Sequence, residues 1–509
     1  MKNLAYITLV LFSTLFYGCS DELLDVKNPN TLTEDQFWLS AEDAELGLNA
    51  IYAMQYKPGL WGRWIYFRYD LTSDEGYSKS PWIELGDWTR FQYVNYNFWE
   101  GNVITWRDHY KGIYRCNQVI SNVPAIEMDE AQKAEIIAQA KFFRAFYYYN
   151  IAVLWEDAPI VLEPSEPDDL PEQKTVEQVW AQVEADLMDA VKSLPVQWDD
   201  ANVGRPTRGA ANAMLGKMYM QQRKWPEAKG ALDYFFTGEG SGAYSLMPNF
   251  KDNFTHEFEN NSESVFEIQF SDDNFGGGDG DEPNANMGNN RAQFFAPAGI
   301  GWSDGQARHW LVDAFKQEMN QDGELDERLR HSVFYSDIEA DFGDKIYGRD
   351  WQWGAEDAWF RKYQRDYYRD NEDYHSQVNL RMIRYADILL LYAEVLNELG
   401  QTAQAYQYVD EVRARANMAP LATAYPAIGN DADLFLERLK TERVLELCGE
   451  SHRWEDLKRW GDLDSQAAVD NIALRDPDFK NFEVGKNHRL PIPQVEVENN
   501  PNLSQHAEY

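Results

Sequence analysis

The sequence predicts a fold that is all-α in bulk, with minor β-structure and several long irregular segments. The clearest helix signal is the run TVEQVWAQVEADLMDAVKSLP at 175–195, in which apolar residues recur at helical spacing until Pro195 ends the pattern. Four further runs show the same period: AQKAEIIAQAKFFRAFYYYNIAVLW, RGAANAMLGKMYMQQ, RMIRYADILLLYAEVLNELG and LFLERLKTERVLELCG. Only one short alternating run, Ser264–Phe270, predicts a strand.

Two of these helical runs match the tetratricopeptide consensus, in which small residues let two antiparallel helices approach closely. The first copy has the consensus residues Leu215, Gly216, Tyr219, Ala228 and Leu232, and the second has Tyr392, Ala393, Leu396, Ala405 and Val409. No regular period of about 34 residues separates the copies, so we expect an interrupted solenoid rather than a regular array.

The N-terminus has the layout of a signal peptide. Lys2 is followed by an uncharged apolar run, Leu4 to Gly18, which is too short to span a bilayer. A small residue directly before Cys19 is the pattern on which bacterial lipoprotein maturation acts. We therefore expect residues 1–18 to be removed and Cys19 to be lipidated. The alternative is an ordinary cleaved signal with an incidental cysteine.

The charge of the chain restricts the class of ligand. With 85 acidic and 47 basic residues, the net charge is −38 at pH 7, and the acidic residues are spread along the whole sequence. The negative electrostatic potential of such a chain repels nucleic acids and other polyanions. We therefore expect a neutral ligand and no nucleic-acid partner. Only Cys116 and Cys448 follow Cys19, which gives no disulfide framework to interpret.

Three irregular segments, at about 61–106, 236–305 and 335–377, are candidates for binding regions because loops of this length are usually functional. The first is rich in Trp, Tyr and Phe, and exposed aromatic planes beside polar residues suit the apolar faces and hydroxyl rims of sugars. The candidate binding residues are Asp74, Trp82, Trp88, Arg90, Tyr93, Tyr96 and, as a second wall of the same face, Trp302. The alternative is that most of these aromatic residues are buried.

Catalytic and metal-binding patterns are weak, and no cofactor is expected. The sequence GWSDG at 301–305 satisfies the G-x-S-x-G pattern of hydrolases, but Pro297 and Gly299 argue against the strand which that motif requires. A pair of carboxylates for glycoside hydrolysis stays open among so many acidic residues. The aspartates between 272 and 281 do not have the spacing of an EF-hand, and we interpret them as solvated.

A charged run near the C-terminus is interpreted as an ion-pair network between helices. Its members are Arg443, Glu446, Glu450, Arg453, Asp456 and Arg459.

A resemblance to one family covers nearly the whole chain. Many segments carry it in the family's order, among them CSDELLDVKNPN, WRDHYKGIYRCNQVISNVP, AKFFRAFYYYNIAVLWEDAPIV, GRPTRGAANAMLGKMYMQQRKWPEAK, TERVLELCGESHRWEDLKRWG and RLPIPQVEVENNPNLSQ. Together they resemble the SusD/RagB family of outer-membrane nutrient-binding lipoproteins.

This resemblance implies a tetratricopeptide-like scaffold of four helix pairs with a loop-rich variable face that binds an oligosaccharide. It implies a lipidated leash at 19–30 and a single SusD-like domain at 31–509. It also implies a SusC-like TonB-dependent transporter as partner, and Ser20-Asp21-Glu22 resembles a signal for export to the cell surface. We therefore expect a glycan-binding lipoprotein, anchored in the outer membrane and exposed on the cell surface, that is not an enzyme. The alternatives are a surface hydrolase or de-esterifying enzyme and a helical-repeat scaffold for protein contacts.

Overall fold

The structure, a computed structural model, describes residues 37–96, 100–166, 168–272 and 287–509. Helices dominate these residues, as predicted. In chain order they are α1 (Ala41–Tyr52), α2 (Trp64–Leu71), α3 (Ile83–Thr89), α4 (Glu100–Asn122), α5 (Glu130–Leu154), α6 (Val176–Ser193), α7 (Arg208–Gln221), α8 (Trp225–Phe236), α9 (Arg291–Phe295), α10 (Trp310–Phe315), α11 (Glu327–Ser332), α12 (Ile338–Phe342), α13 (Tyr385–Glu398), α14 (Thr402–Arg415), α15 (Leu421–Ala424), α16 (Ala432–Leu447), α17 (Arg453–Trp460), α18 (Gln466–Ile472) and α19 (Gln494–Asn499).

Consecutive long helices pack side by side, and both predicted tetratricopeptide pairs are present. Helix α7 packs on α8 and α13 packs on α14, while α5 contacts both α4 and α6. Gly216 lets α7 approach α8 closely, because a Cβ atom at this position would lie 2.5 Å from Cδ2 of Leu232. Helix α13 also contacts α8 and α16, so it joins the two tetratricopeptide pairs to the C-terminal helices.

Among the described residues, the strands form short antiparallel pairs. The strands are β1 (Gly76–Tyr77), β2 (Ala158–Pro159), β3 (Gln173–Lys174), β4 (Ser264–Ile268), β5 (Gln306–Ala307), β6 (Val333–Phe334), β7 (Trp359–Phe360) and β8 (Leu380–Arg384). They pair as β1 with β5, β2 with β3, β4 with β8 and β6 with β7. Phe266 of the predicted strand β4 packs edge to face against Phe142 of α5 at 5.0 Å between ring centroids, so the longest pair lies on the helical core.

Two predicted boundaries are corrected by the structure. The sequence pattern predicts that the helix begins at residue 381, but residues 381–384 belong to β8, which pairs with β4, and the helix begins only at Tyr385. The sequence predicts an irregular segment at about 61–106, yet this segment contains α2, α3 and the start of α4. All eight residues of α2 are buried, so no polar face marks its period in the sequence.

A network of buried ion pairs joins the C-terminal half. The Glu446 carboxylate on α16 contacts the guanidinium groups of Arg384, at the end of β8, and Arg415, on α14. Arg384 also contacts Glu263 and Glu450, at 2.7 Å each, and all five side chains are almost completely buried. Burial alone would raise the pKa of Glu446, but the attraction of Arg415 and Arg384 outweighs burial and holds its pKa below the ordinary range.

The predicted ion-pair network between helices is confirmed in the same region. Arg443 on α16 bonds to Asp387 on α13 and to Asp456 on α17, at 2.9 and 2.8 Å. Arg459 on α17 bonds to Asp456 and, at 2.7 Å, to Glu394 of α13. These charges lie between helices, where burying them unpaired would be costly.

Two adjacent carboxyl groups after α2 are buried with opposite effects on their pKa values. Asp74 was a candidate binding residue, but it is completely buried and bonds to Arg453 at 2.7 Å and to Arg475 at 2.6 Å. These two guanidinium groups outweigh burial and lower its pKa, so Asp74 is a structural ion-pair residue that is not available to a ligand. For Glu75, which accepts a hydrogen bond from the Gly449 amide at 3.2 Å, burial raises the pKa to about 8.

We expect Arg384→Met to destabilise the protein by about 3–5 kcal/mol, because three buried carboxylates would lose their shared cation. The measurement is the free energy of unfolding from denaturant titration. The control is Lys345→Met, which removes an exposed pair with Asp350 and should leave the free energy of unfolding nearly unchanged. Equal losses in the two variants would contradict a central role for Arg384.

We expect the stability of the Glu75→Gln variant, relative to that of the wild type, to increase as the pH rises. Between the ordinary pKa of 4.5 and the folded pKa of about 8, the unfolded wild-type chain loses its proton first, so the wild type loses folding free energy with rising pH. The variant has no such loss. The thermal midpoint of the variant minus that of the wild type should therefore be larger at about pH 8.5 than at about pH 5.

The matched control for that experiment is Asp74→Asn. The lowered pKa of Asp74 means that its ion pairs stabilise the fold above the ordinary pKa of 3.8 and lose this effect as the pH falls below it. Asp74→Asn should therefore be destabilising at both pH values. A midpoint difference for Glu75→Gln that does not change with pH would show that Glu75 titrates normally in the folded chain.

Candidate functional site

Four aromatic side chains from distant parts of the sequence meet at one surface, which we call the aromatic cluster: Trp82, Phe294, Trp302 and Tyr374. Phe294 is buried at its centre, with the ring centroids of Trp302, Tyr374 and Trp82 at 5.2, 5.7 and 6.4 Å. Trp302 and Tyr374 also contact each other edge to face at 4.8 Å. Trp302 is 50% exposed, and Trp82 and Tyr374 are partly exposed, so the three outer rings offer aromatic surface to solvent.

Trp302 lies in a turn that is fixed against α9. Its amide donates to the Gln293 carbonyl at 2.8 Å, and the Ser303 amide donates to the Ala296 carbonyl at 3.1 Å. Ser303 has a φ of 58°, which is uncommon for a residue with a side chain and persists only where surrounding contacts enforce it. The backbone that presents the Trp302 indole is therefore held in one conformation.

The loop that carries Tyr374 is tied to this turn. The Glu372 amide donates to the Ile300 carbonyl at 3.1 Å, which joins the two backbones directly. The Glu372 carboxylate is buried and accepts hydrogen bonds from Arg365, at 2.7 Å, and from the Tyr347 hydroxyl. Trp302 and Tyr374 are thus positioned by the same local set of contacts.

Charged and hydroxyl groups lie beside the rings. The Arg63 guanidinium lies 5.7 Å from the Trp82 ring centroid and 5.4 Å from that of Phe294, within the range of a cation–π interaction. The Ser80 hydroxyl accepts a hydrogen bond from the Trp82 amide at 3.1 Å. Asp304 is buried nearby, and burial raises its pKa against the opposing effects of Ser80 and Arg63. The Arg63 and Asp304 side chains are buried beneath the edge of the aromatic surface, and Ser80 is partly exposed there.

A second group of indoles adjoins the same turn. Trp353 donates from Nε1 to the Ala298 carbonyl at 3.0 Å, and Trp359 donates to the Ser303 hydroxyl at 2.9 Å. Trp351 and Trp353 are partly exposed, with ring centroids 5.1 Å apart. The aromatic surface thus continues past the turn.

The structure brings together two of the seven predicted binding residues and excludes three others, which are Asp74, as described above, and two aromatic residues. Trp82 and Trp302, 220 positions apart in sequence, both belong to the aromatic cluster. Trp88 is 1% exposed and packs against Trp64 at 5.4 Å, while Tyr93 is 6% exposed beneath the Arg68 guanidinium. Neither ring can offer a face to a ligand in this structure, so the alternative of burial is correct for both.

The two remaining predicted residues have other surroundings. Arg90 is partly exposed, with its guanidinium 3.7 Å from Asp87 and bonded to Gln92. Tyr96 is 54% exposed, in a segment where the neighbouring Asn95 carbonyl accepts a hydrogen bond from the Gln494 amide of the C-terminal region. Their part in ligand binding stays a prediction.

Sequence reasoning missed three contributors to the surface: Arg63, Phe294 and Tyr374. Phe294 is a buried support that resembles any core phenylalanine in sequence. Tyr374 stands alone in the polar run DNEDYHSQ, and a single aromatic residue in such a loop is the signal that could have identified it.

The hydrolase pattern does not have the architecture that its chemistry requires. Ser303 follows a turn rather than a buried strand, and its hydroxyl accepts a hydrogen bond from the Trp359 indole. In the part of the chain that the structure covers, this is the only hydrogen bond of that hydroxyl, so no activating base contacts it. Within the same residues, no group of three or more His, Cys, Asp or Glu side chains is arranged to hold a metal ion.

Several predicted features lie outside the described residues, namely the signal peptide, Cys19 and three of the aspartates, Asp273, Asp279 and Asp281. Among the helices that are described, none is both long enough and apolar enough to cross a bilayer.

Two family models match the chain. The model described as "SusD family" matches residues 262–509, and the one described as "Starch-binding associating with outer membrane" matches residues 22–220. Together they span most of the chain, and each half of the fold is matched by a model of the same group.

Individual relatives agree with these matches. SusD-like protein P2 from Formosa agariphila is 27% identical, over 99% of both chains. A SusD superfamily protein from Bacteroides vulgatus has a structure with a TM-score of 0.81 and 26% identity, covering 93% of this chain and all of that one. A laminarin-binding SusD-like protein, also 26% identical, has a TM-score of 0.75 and covers 92% of this chain and all of that one. With its paired helices and loop-borne surface, the chain belongs to the SusD/RagB family.

Proposed function

We propose that this chain binds a neutral oligosaccharide or polysaccharide on the aromatic cluster. The observation that carries the proposal is the set of partly exposed rings, Trp82, Trp302 and Tyr374, supported by one buried phenylalanine and bordered by polar groups. Sugar rings present apolar C–H faces to aromatic planes and hydroxyl groups to polar neighbours, which is the chemistry that this surface offers.

The choice of a neutral glycan follows from charge and from one structural neighbour. The net charge of −38 repels uronate and sulfated polymers. A neighbour at 26% identity binds laminarin, a neutral glucan. Laminarin is therefore the first ligand to test.

We also propose a location and a partner. In this proposal Cys19 is lipidated and anchors the chain in the outer membrane at the cell surface, and a SusC-like TonB-dependent transporter receives the glycan. The proposal is supported by the family and by the match of residues 22–220 to a model described as associating with the outer membrane. The chain acts by binding, without a covalent step.

Substitution at the aromatic cluster tests the binding proposal. We expect Trp302→Ala and Tyr374→Ala each to weaken laminarin affinity about tenfold, because a lost aromatic contact of about 1.4 kcal/mol corresponds to that factor. The measurement is retardation in a polysaccharide-containing gel together with calorimetry on laminarihexaose.

The matched control is Trp225→Ala, at the start of α8, where a partly exposed tryptophan outside the cluster is removed. It should leave the affinity unchanged. A panel with mannan, inulin, polygalacturonate and a sulfated galactan tests the preference for neutral polymers. Wild-type affinity in both cluster variants would place the site elsewhere, and new reducing ends in the incubations would favour the hydrolase alternative.

The anchor is tested separately in a Bacteroidota host. Cys19→Ala should release a folded protein that still binds the glycan into the medium, while growth on the glycan is impaired. Fractionation and the same gel assay on the released protein measure this, with Cys116→Ala as the control that keeps the predicted lipidation site. Retention of the Cys19→Ala protein in the membrane fraction would argue against lipidation at this residue.

A further inference from the structure

A cleft on another part of the molecule has the properties of a ligand site. It lies between the connection from α6 to α7, at 196–207, and residues 260–267, which include most of β4, and we call it the lateral cleft. Its volume is about 380 Å³, within the range of about 300–1,000 Å³ typical of ligand pockets. None of its lining residues belongs to the aromatic cluster.

The walls of the lateral cleft are held in place by their own contacts. Gly204, with a φ of +91°, packs so closely on Gln269 that a Cβ atom would lie 2.6 Å from that side chain. The Trp198 indole donates to the Pro206 carbonyl at 2.9 Å, and the hydroxyl groups of Thr207 and Tyr244 are 3.1 Å apart. The cleft is therefore preformed, so a ligand would not have to order the walls.

The lining combines aromatic surface with hydrogen-bond acceptors. Trp198 is partly exposed, and Gln197, Asp199 and Asp200 are exposed beside it. Across the described residues, the Asp200 carboxylate has no hydrogen bond and no ion pair, so its acceptor capacity is free for a ligand. An indole beside an unoccupied carboxylate is a combination that sugar hydroxyls and C–H faces satisfy.

Charge disfavours ionic ligands in the lateral cleft. The two rim aspartates disfavour an anion. A cation beside the indole would meet the Arg205 guanidinium, which already lies 5.9 Å from the Trp198 ring centroid and is held there by Glu45 at 3.3 Å. A neutral, hydroxyl-rich ligand meets neither obstacle.

We propose that the lateral cleft is a second carbohydrate-binding site, which takes a short stretch of a neutral glycan between Trp198 and Asp200. This second site rests on the proposed function only for its class of ligand, because the residues of the two sites are different. A long polymer could bind to both sites of one protein molecule. Once it is bound at one site, its effective concentration at the other is raised, so the affinity for the polymer exceeds the affinity for a short oligosaccharide.

The first test uses the double variant Trp302→Ala/Tyr374→Ala as background. Calorimetry with laminarihexaose should show residual binding, at least about tenfold weaker than wild type. Adding Asp200→Ala or Trp198→Leu should remove it, whereas adding Asp168→Ala, at an exposed carboxylate outside the cleft, should not. Complete loss of binding in the background variant would overturn the second site and leave the proposed function intact. If the wild type binds no glycan, both proposals fail.

The second test uses the otherwise intact chain. Asp200→Ala alone should weaken the apparent affinity for laminarin polymer about tenfold while leaving the affinity for laminarihexaose within about twofold, because only the polymer engages both sites. Equal polymer affinity in wild type and variant would overturn the proposal. Saturable binding of N-acetyl-arginine amide that Trp198→Leu abolishes would assign the cleft to a cation instead.

Discussion

The buried charges around Glu446 are the constraint on which the rest of the structure depends. Carboxylates and guanidinium groups taken out of water are tolerated only when they meet in good geometry. The end of β8 and helices α14 and α16 must therefore come together in a single arrangement. The constraint extends to the binding surface, because Arg291 at the start of α9 bonds to the Gly449 carbonyl, one residue before Glu450, and to Asp70 of α2. Helix α9 supplies Phe294, so the support of the aromatic cluster is fixed by the scaffold's own charges.

The three outer rings of the aromatic cluster, Trp82, Trp302 and Tyr374, come from residues outside the helices and strands, and only Phe294 lies on a helix, α9. The rigidity of the cluster comes from backbone hydrogen bonds at the turn of Trp302 and from the buried Glu372, rather than from a sheet or a long helix. A surface that is already ordered loses little conformational entropy when it binds a ligand. Such a site can bind with useful affinity although each ring contributes little binding energy, provided that the ligand is long enough to contact several rings.

Much of the fold was predictable, but only half of the site was. Helix α6 has an apolar face and a polar face, so its period is visible in the sequence, and the pairs α7–α8 and α13–α14 were recognisable from the tetratricopeptide consensus. Helix α2 has no polar face, and it was missed. The sequence does not distinguish Trp82 from Trp88 either. Both lie in one aromatic segment and both pack against Trp64, and only tertiary packing leaves Trp82 partly exposed while it buries Trp88. Tyr374 reaches Trp302 across 72 positions, and no local pattern encodes that contact.

Glu372 acts on two loops with separate parts of the same residue: its amide holds the turn of Trp302, and its carboxylate holds the loop of Tyr374. During divergence within the family, Trp302 and Tyr374 could be replaced one at a time while the contacts of Glu372 were kept. Ligand preference could then drift without any change to the helices or to the buried charges. A family member that lost the contacts of Glu372 would instead lose the relative placement of both rings at once, whatever aromatic residues it carried.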